Sequence, residues 1–416
     1  MSDIAGLAYC EVTFGSDGAL TSDGGLARAV GAGGVTDLFV FSHGWNNSTD
    51  SARRLYREMF TLLAGRLGKR KDGCVAVGVL WPSLLFPEDD PATPETPSTG
   101  AQLADALKPA FPNARDDLDT MGGLIDQQPQ DAAQLVRFHQ LASGLVTSPG
   151  LAGEDEGPAA TITAPPAAVL GHAAAMSATP DGNAESIGNP FTALWSGARE
   201  VLRTMSYYEM KNRAGVVGER GLGPLLGTVA PDGSSVRVHL MGHSFGGRLV
   251  AYSLNGLPRT ASGPASPVKS LLLLQAAFSH FAFADPTPCR AVPRGSLAAT
   301  RDRVDGPLLA TFSAADRAVG WWYPNASMLA HQDSQSLTDL AYQWGGMGHD
   351  GFQQSPAGTT LPLKGTTYPF AKEGIYLLDA NDVIKKPLSQ FSGAHSDIVH
   401  DEIAAVAVAA ASLSWT

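Results

Sequence analysis

Residues 236–254 pass from a strand pattern to a helix pattern with almost no room to turn. Positions 236–241 (Val-Arg-Val-His-Leu-Met) are mostly β-branched or apolar, as a buried strand requires. Arg248-Leu249-Val250-Ala251-Tyr252-Ser253-Leu254 suits the first turns of a helix. Between them lies Gly242-His243-Ser244-Phe245-Gly246, the one Gly-x-Ser-x-Gly spacing in the chain. A reversal this tight strains the serine backbone and brings neighbouring chain close. Glycines two residues before and after remove the side chains that would collide. The expected result is a hydroxyl held above the carboxyl end of a sheet, at a helix N-terminus. Such a serine predicts hydrolase or acyltransferase chemistry. With 46 glycines in 416 residues the spacing could also arise by chance, so its partners matter.

The rest of the chain supplies the sheet that this turn demands. Strand patterns fall at 7–14, 36–42, 74–81, 270–276, 306–313 and 374–379. Helical patterns fall at 52–67, 191–211 and 398–413. Alternation of this kind predicts an α/β fold with a mostly parallel central sheet flanked by helices. Asn46-Asn47-Ser48-Thr49-Asp50-Ser51 is rich in N-cap residues ahead of the helix at 52–67. The 416 residues are read as a single catalytic domain.

One long interruption stands out. Between 84 and 190 the pattern dissolves into Pro, Ala, Gly, Asp and Thr, with one amphipathic helix at 131–146. Positions 148–190 read as largely loop. This stretch carries 15 acidic and 3 basic residues, a balance of −12 in a chain of net charge −11. The acidity therefore belongs to the excursion, which is expected to form a cap or lid over the carboxyl edge of the sheet. An acidic surface argues against a nucleic-acid partner. Arg53-Arg54-Arg57 and Lys69-Arg70-Lys71 read as solvated positions along and after one helix.

Other function classes find no support. No apolar run is long enough to span a membrane, and the N-terminus has no basic segment leading an apolar one, so a cytoplasmic location is expected. The three cysteines, Cys10, Cys74 and Cys289, are too few for a disulfide framework, and the first two read as small buried hydrophobes. Metal-binding Cys/His spacings, phosphate loops and dinucleotide fingerprints are absent, so no metal and no cofactor is expected. The sequence leaves the oligomeric state open.

A serine nucleophile needs a base, and the base needs a group to orient it. Asp316 follows directly on the strand at 306–313. His395 lies in the loop between the last strand and the last helix. Asp285, Asp379 and Asp382 are rival acids near strand ends, and Asp316 could instead cap the segment after it. His400 is the rival base, but it falls inside the expected helix. His239 reads as a strand-face residue. Donors for a developing oxyanion are expected from the backbone N–H of Phe245 and from Trp45, in the loop after the strand at 36–42. In that loop His43, Gly44 and Asn46 are expected to shape the substrate site, together with His243. Trp321 and Trp322 join Trp45 as an expected aromatic wall favouring an apolar acyl or aryl group.

The set His43-Gly44-Trp45-Asn46-Asn47-Ser48, Trp81-Pro82-Ser83, Gly242-His243-Ser244-Phe245-Gly246, Asp316 and His395 resembles the α/β-hydrolase superfamily, and is similar to poorly characterised bacterial members of it. The resemblance covers 7–83 and 191–413 and leaves out the acidic excursion. It implies the α/β-hydrolase fold and a Ser244–His395–Asp316 triad working through an acyl-enzyme. A carboxylic-ester hydrolase of esterase or lipase type is the leading expectation. Peptidase, amidase or acyltransferase activity shares the same fold. A non-catalytic ligand-binding protein is the reading from outside enzymology.

Overall fold

The computed structural model describes residues 2–45, 47–83, 99–148, 162–177, 190–231, 233–259, 266–287, 294–322, 345–353, 357–365, 367–388 and 392–415. Among these, ten strands form one sheet: β1 (Ser2–Ile4), β2 (Leu7–Phe14), β3 (Leu20–Ser22), β4 (Asp37–Ser42), β5 (Cys74–Leu80), β6 (Arg237–His243), β7 (Val268–Leu274), β8 (Leu308–Phe312), β9 (Thr359–Pro362) and β10 (Ile375–Asp379). Their order is β1-β2-β5-β4-β6-β7-β8-β10-β9, with β3 beside β2. All neighbours pair in parallel except β1 and β3, which run antiparallel to β2. The fold is α/β with a mostly parallel central sheet, as expected. The three strands that the pattern missed, β1, β3 and β9, are three or four residues long and largely exposed, so they carry no buried apolar run.

Both faces of the central strands are covered, which is why they read as continuous apolar runs. Alternate residues of β4 point to opposite sides. Phe39 and Phe41 pack with Tyr56, Met59 and Phe60 of the helix Thr49–Leu67 and with Ile403 and Val406 of the helix Asp401–Ser412. Leu38 and Val40 join the other core, with Val201 of Ala198–Val217, Leu226 of Gly223–Val229 and Leu249 of Phe245–Gly256. The helix after β4 starts at Thr49, three residues earlier than expected, because the Ser48 hydroxyl accepts the Ser51 N–H at 3.1 Å. Cys10 and Cys74 are buried thiols that burial pushes up to about 12, consistent with their reading as small hydrophobes.

The excursion after β5 departs from the expected loop. Ala132–Ser143 is the foreseen amphipathic helix, capped by the Asp131 side chain. Around it are the helices Gly100–Leu107 and Arg115–Gln127, and Pro166–Ser177 lies within the stretch expected to be loop. Their apolar residues (Leu103, Leu118, Met121, Phe138, Leu170) are buried in the same core as Val201 and Leu202. Close backbone contacts explain glycines within and beside these helices. A Cβ on Gly122 would lie 2.6 Å from the Gly100 carbonyl oxygen, and one on Gly197 would lie 2.1 Å from that of Leu170.

A buried ion pair ties the excursion to the body of the protein. Glu209 accepts the Thr147 and Ser148 backbone N–H groups, each at 2.8 Å, and pairs with Arg213 at 3.0 Å. Arg213 also donates to the carbonyls of Pro82 and Ala110, at 3.0 and 3.1 Å. Segments from both sides of the excursion thus converge on one turn of the helix Ala198–Val217. Among the described residues no helix is long and apolar enough to cross a membrane.

Candidate active site

The chain runs from β4 to β5 on one side, then crosses back to place β6 on the other side of β4. The loops leaving the carboxyl ends of β4 and β6 therefore diverge, and open α/β sheets bind ligands in the crevice between such loops. Ser244 stands at this point. Its backbone has φ 56° and ψ −124°, a conformation costing on the order of 1–3 kcal/mol for a residue with a Cβ. Neighbouring chain holds it there. The Ser244 N–H donates to the Leu274 carbonyl at 3.1 Å, and the Ser244 carbonyl accepts from Gly247 and Ala277 at 3.0 and 3.2 Å. A Cβ at Gly242 would sit 2.3 Å from the Gly246 carbonyl oxygen, and one at Gly246 would sit 2.2 Å from that of Ser42. Both glycines of the motif are needed for the reason read from the sequence.

The loop after β4 is pressed against the serine. A Cβ on Gly44 would meet the Ser244 Cβ at 2.5 Å. Trp81 stacks on the His43 ring, with centroids 5.5 Å apart, and its indole N–H donates to the His43 carbonyl at 3.1 Å. Ser83 donates to the Asn47 carbonyl at 2.7 Å, and the Asn47 amide donates to that of Trp45 at 3.1 Å. The His-Gly-Trp-Asn-Asn-Ser and Trp-Pro-Ser segments, far apart in sequence, are thus one bonded unit. His43 Nδ1 lies 2.9 Å from the Gly44 carbonyl, so it carries the proton. Burial pushes this imidazole down to about 4, which keeps it neutral near pH 7. The Trp45 ring packs on Tyr207 and Phe245, with centroids 5.7 and 6.1 Å away. Asn46 lies outside the described residues.

Asp316 and His395 meet. His395 Nδ1 is 2.8 Å from Asp316 Oδ2, the carboxylate fully buried and the histidine nearly so. The other oxygen, Oδ1, accepts the Val319 N–H at 2.9 Å. One carboxylate thus caps the segment after it and also bonds the histidine. The loop bearing His395 is pinned to the acid's own loop, since Ala394 N–H donates to the Ala315 carbonyl at 3.0 Å. His243 links this pair to the serine turn. Its Nε2 donates to the His395 carbonyl at 2.9 Å, and the two rings lie 4.9 Å apart. Burial, with His395 second, pushes His243 down to about 3, so it is a neutral strut.

Most of the rivals are occupied elsewhere. Asp285 pairs with Arg294 at 2.9 Å, Asp379 accepts from Asn381, and Asp382 bonds no histidine among the described residues. His400 is not inside the last helix, as expected, but is its N-cap residue, and its ring sits on Asp397 at 3.0 Å. His239 is a buried strand residue bonded to Asp37 and Ser270, each at 3.0 Å. Trp321 and Trp322 belong to a short π-helical segment, Ala318–Trp322, and their side chains lie outside the described residues. The aromatic neighbour that sequence reading missed is Tyr207. Its helix was foreseen, but the face meeting Trp45 could not be read from spacing.

Gln275 was missed as well, because it looks like the end of a buried strand. β7 stops at Leu274, and Gln275 has φ 44°. Its amide donates to Asp316 Oδ2 at 2.9 Å and to the Gly348 carbonyl at 2.8 Å. Together these groups comprise a hydroxyl at a helix N-terminus, an imidazole ordered by a carboxylate, and a donor-bearing loop beside the hydroxyl. Among the described residues no group of three or more His, Cys, Asp or Glu side chains is arranged to hold a metal ion. Compared with models of known families, with curated proteins and with solved structures, the chain matches none of them.

Proposed function

We propose that this chain is a serine hydrolase of the α/β-hydrolase type that cleaves carboxylic esters through an acyl-enzyme. The observation that carries this reading is the His395 Nδ1–Asp316 Oδ2 bond of 2.8 Å, at the same sheet edge as the strained serine turn. Nδ1 donates to the carboxylate, which leaves Nε2 as the basic nitrogen for the Ser244 hydroxyl. Ser244 attacks the ester carbonyl, and its proton passes to His395. The oxyanion that forms is held by the N–H of Phe245, the first residue of its helix, and by that of Trp45. His395 returns the proton to the departing alcohol. Water, activated by the same histidine, then releases the acid and frees Ser244.

Trp45, partly buried and backed by the buried rings of Tyr207 and Phe245, supplies an aromatic face beside that point, which favours an apolar acyl or aryl group. The helices between 99 and 177 are read as a cap resting on the helix Ala198–Val217. A fluorophosphonate probe and a panel of aryl esters of increasing chain length test the reading on the native protein. The expected result is labelling at Ser244 and turnover of esters, both lost in Ser244→Ala. Turnover of peptide amides without esters would point to the peptidase alternative. Folded protein with no labelling would end the enzyme reading and leave a binding protein.

A further inference from the structure

Gln275 joins the two halves of the site. The residue before it, Leu274, accepts the Ser244 N–H, and the second residue after it, Ala277, donates to the Ser244 carbonyl, at 3.1 and 3.2 Å. Its own side chain reaches the opposite way, to Asp316. One four-residue bend therefore grips the serine by its main chain and the acid by a side chain.

The orientation of that side chain follows from its neighbours. Thr311 Oγ1 accepts the Gln275 backbone N–H at 2.9 Å, so its hydroxyl hydrogen is available to the amide oxygen, also at 2.9 Å. The other amide atom faces the Asp316 carboxylate and the Gly348 carbonyl, both of which only accept. It must be the nitrogen, with both hydrogens used. Gln275 is fully buried and its side-chain amide and backbone N–H are all engaged, in a backbone conformation that side chains avoid. Burying an amide is costly unless its atoms are bonded, and here those bonds run to the acid and to the segments beside it.

We infer that Gln275 is a positioning residue for the acid, holding Asp316 Oδ2 in the line along which it receives His395, and Thr311 is the clamp that keeps the amide from turning over. The inference rests on the triad reading. Asp316 Oδ2 takes two donors, His395 Nδ1 and Gln275 Nε2, and its Oδ1 takes the Val319 N–H. Without the amide, Oδ2 keeps only the imidazole it is meant to orient, and the Val319 N–H on Oδ1 is, among the described residues, the one remaining side-chain bond that fixes the carboxylate independently of His395.

The test compares wild type with Gln275→Leu, Gln275→Glu and Thr311→Val, using aryl-ester kinetics across pH and the low-field Nδ1 proton resonance of His395, assigned by its loss in His395→Asn. Gln275→Leu should lower kcat by about tenfold to a hundredfold, the range for losing a hydrogen bond to a charged group, with KM nearly unchanged. Gln275→Glu keeps the shape but can donate to Asp316 only while protonated. Its kcat should fall with rising pH on the alkaline side, where wild type is level. Thr311→Val should act in the same direction more weakly, and covers the case in which a Gln275 variant does not fold. In each folded variant the Nδ1 proton resonance should move or broaden. Folded variants with unmoved resonances and a scaled but unaltered pH profile would overturn the inference. The resonance needs no turnover, so an absence of phosphonate labelling in wild type would count against the proposed function while the resonance still decides the role of Gln275.

Discussion

The carboxyl edge of the sheet and the excursion between β5 and β6 are held by different kinds of contact. At the edge, strain is accepted and hydrogen bonds offset it. Ser244 and Gln275 both stand at positive φ; the Ser244 N–H bonds the Leu274 carbonyl at the end of β7, and the Gln275 N–H bonds the Thr311 hydroxyl on β8. In the excursion the helices have ordinary geometry, and apolar side chains, close glycine contacts and the Glu209–Arg213 hub hold them. An edge built this way keeps a few atoms in fixed relation. A layer built the other way needs only to fill volume, and it is anchored at a few polar points.

Substitution at the two places should separate chemistry from stability. The largest effect is expected from Ser244→Ala. Ester turnover should fall by about ten-thousand-fold or more, with melting behaviour preserved; an active Ser244→Ala protein would contradict the edge reading. Asp316→Asn should follow closely. It removes the charge facing His395 and permits the wrong tautomer, a change that costs a serine protease about ten-thousand-fold. Kinetics with an aryl ester measure both.

In the excursion the expected pattern is reversed. Glu209→Ala leaves Arg213 buried and unpaired, and should cost about 3–5 kcal/mol in denaturant unfolding. Ester kinetics at low temperature, where the protein remains folded, should change little. If turnover collapses while stability does not, the excursion is part of the catalytic machinery and the contrast fails.

The smallest effect concerns pH. Burial depresses His43 to about 4 and His243 to about 3, from an unfolded value near 6.5. A depressed folded value means that the unfolded chain takes up the proton first. The associated stability is fully present above about pH 6.5 and is lost as pH falls toward 4. Each histidine contributes a slope of about 1.4 kcal/mol per pH unit in that window. Urea unfolding between pH 7 and 5 should show the decline, and His43→Gln should make it shallower. Equal slopes in the two proteins would remove His43 from the account.

Much of the edge was legible because its signals are local. The Gly-x-Ser-x-Gly run, the His-Gly loop after β4, and an aspartate and a histidine placed after later strands can each be read within a few residues. The buried strands were legible for the same reason, while β1, β3 and β9 were not, being short and exposed. The helices Gly100–Leu107, Arg115–Gln127 and Pro166–Ser177 were hidden because their glycines and alanines suit contact with one another, and composition does not name the contact. His400 shows the same limit at a boundary: one residue of helix start decides whether a histidine is a cap or lies within a turn.

By itself the sequence determined the alternation that makes a parallel sheet, and the strained serine turn with its flanking glycines. Backbone sterics at neighbouring residues leave few alternatives there. Only the tertiary structure decided that His395 meets Asp316, that Trp81 bonds the loop beside Ser244, and that the bend at 274–277 bonds both the Ser244 main chain and the Asp316 carboxylate. The pairs His43–Trp81, Gln275–Asp316 and Asp316–His395 are separated by 38, 41 and 79 residues. Their meeting depends on strand order and register, which are set by packing the whole sheet.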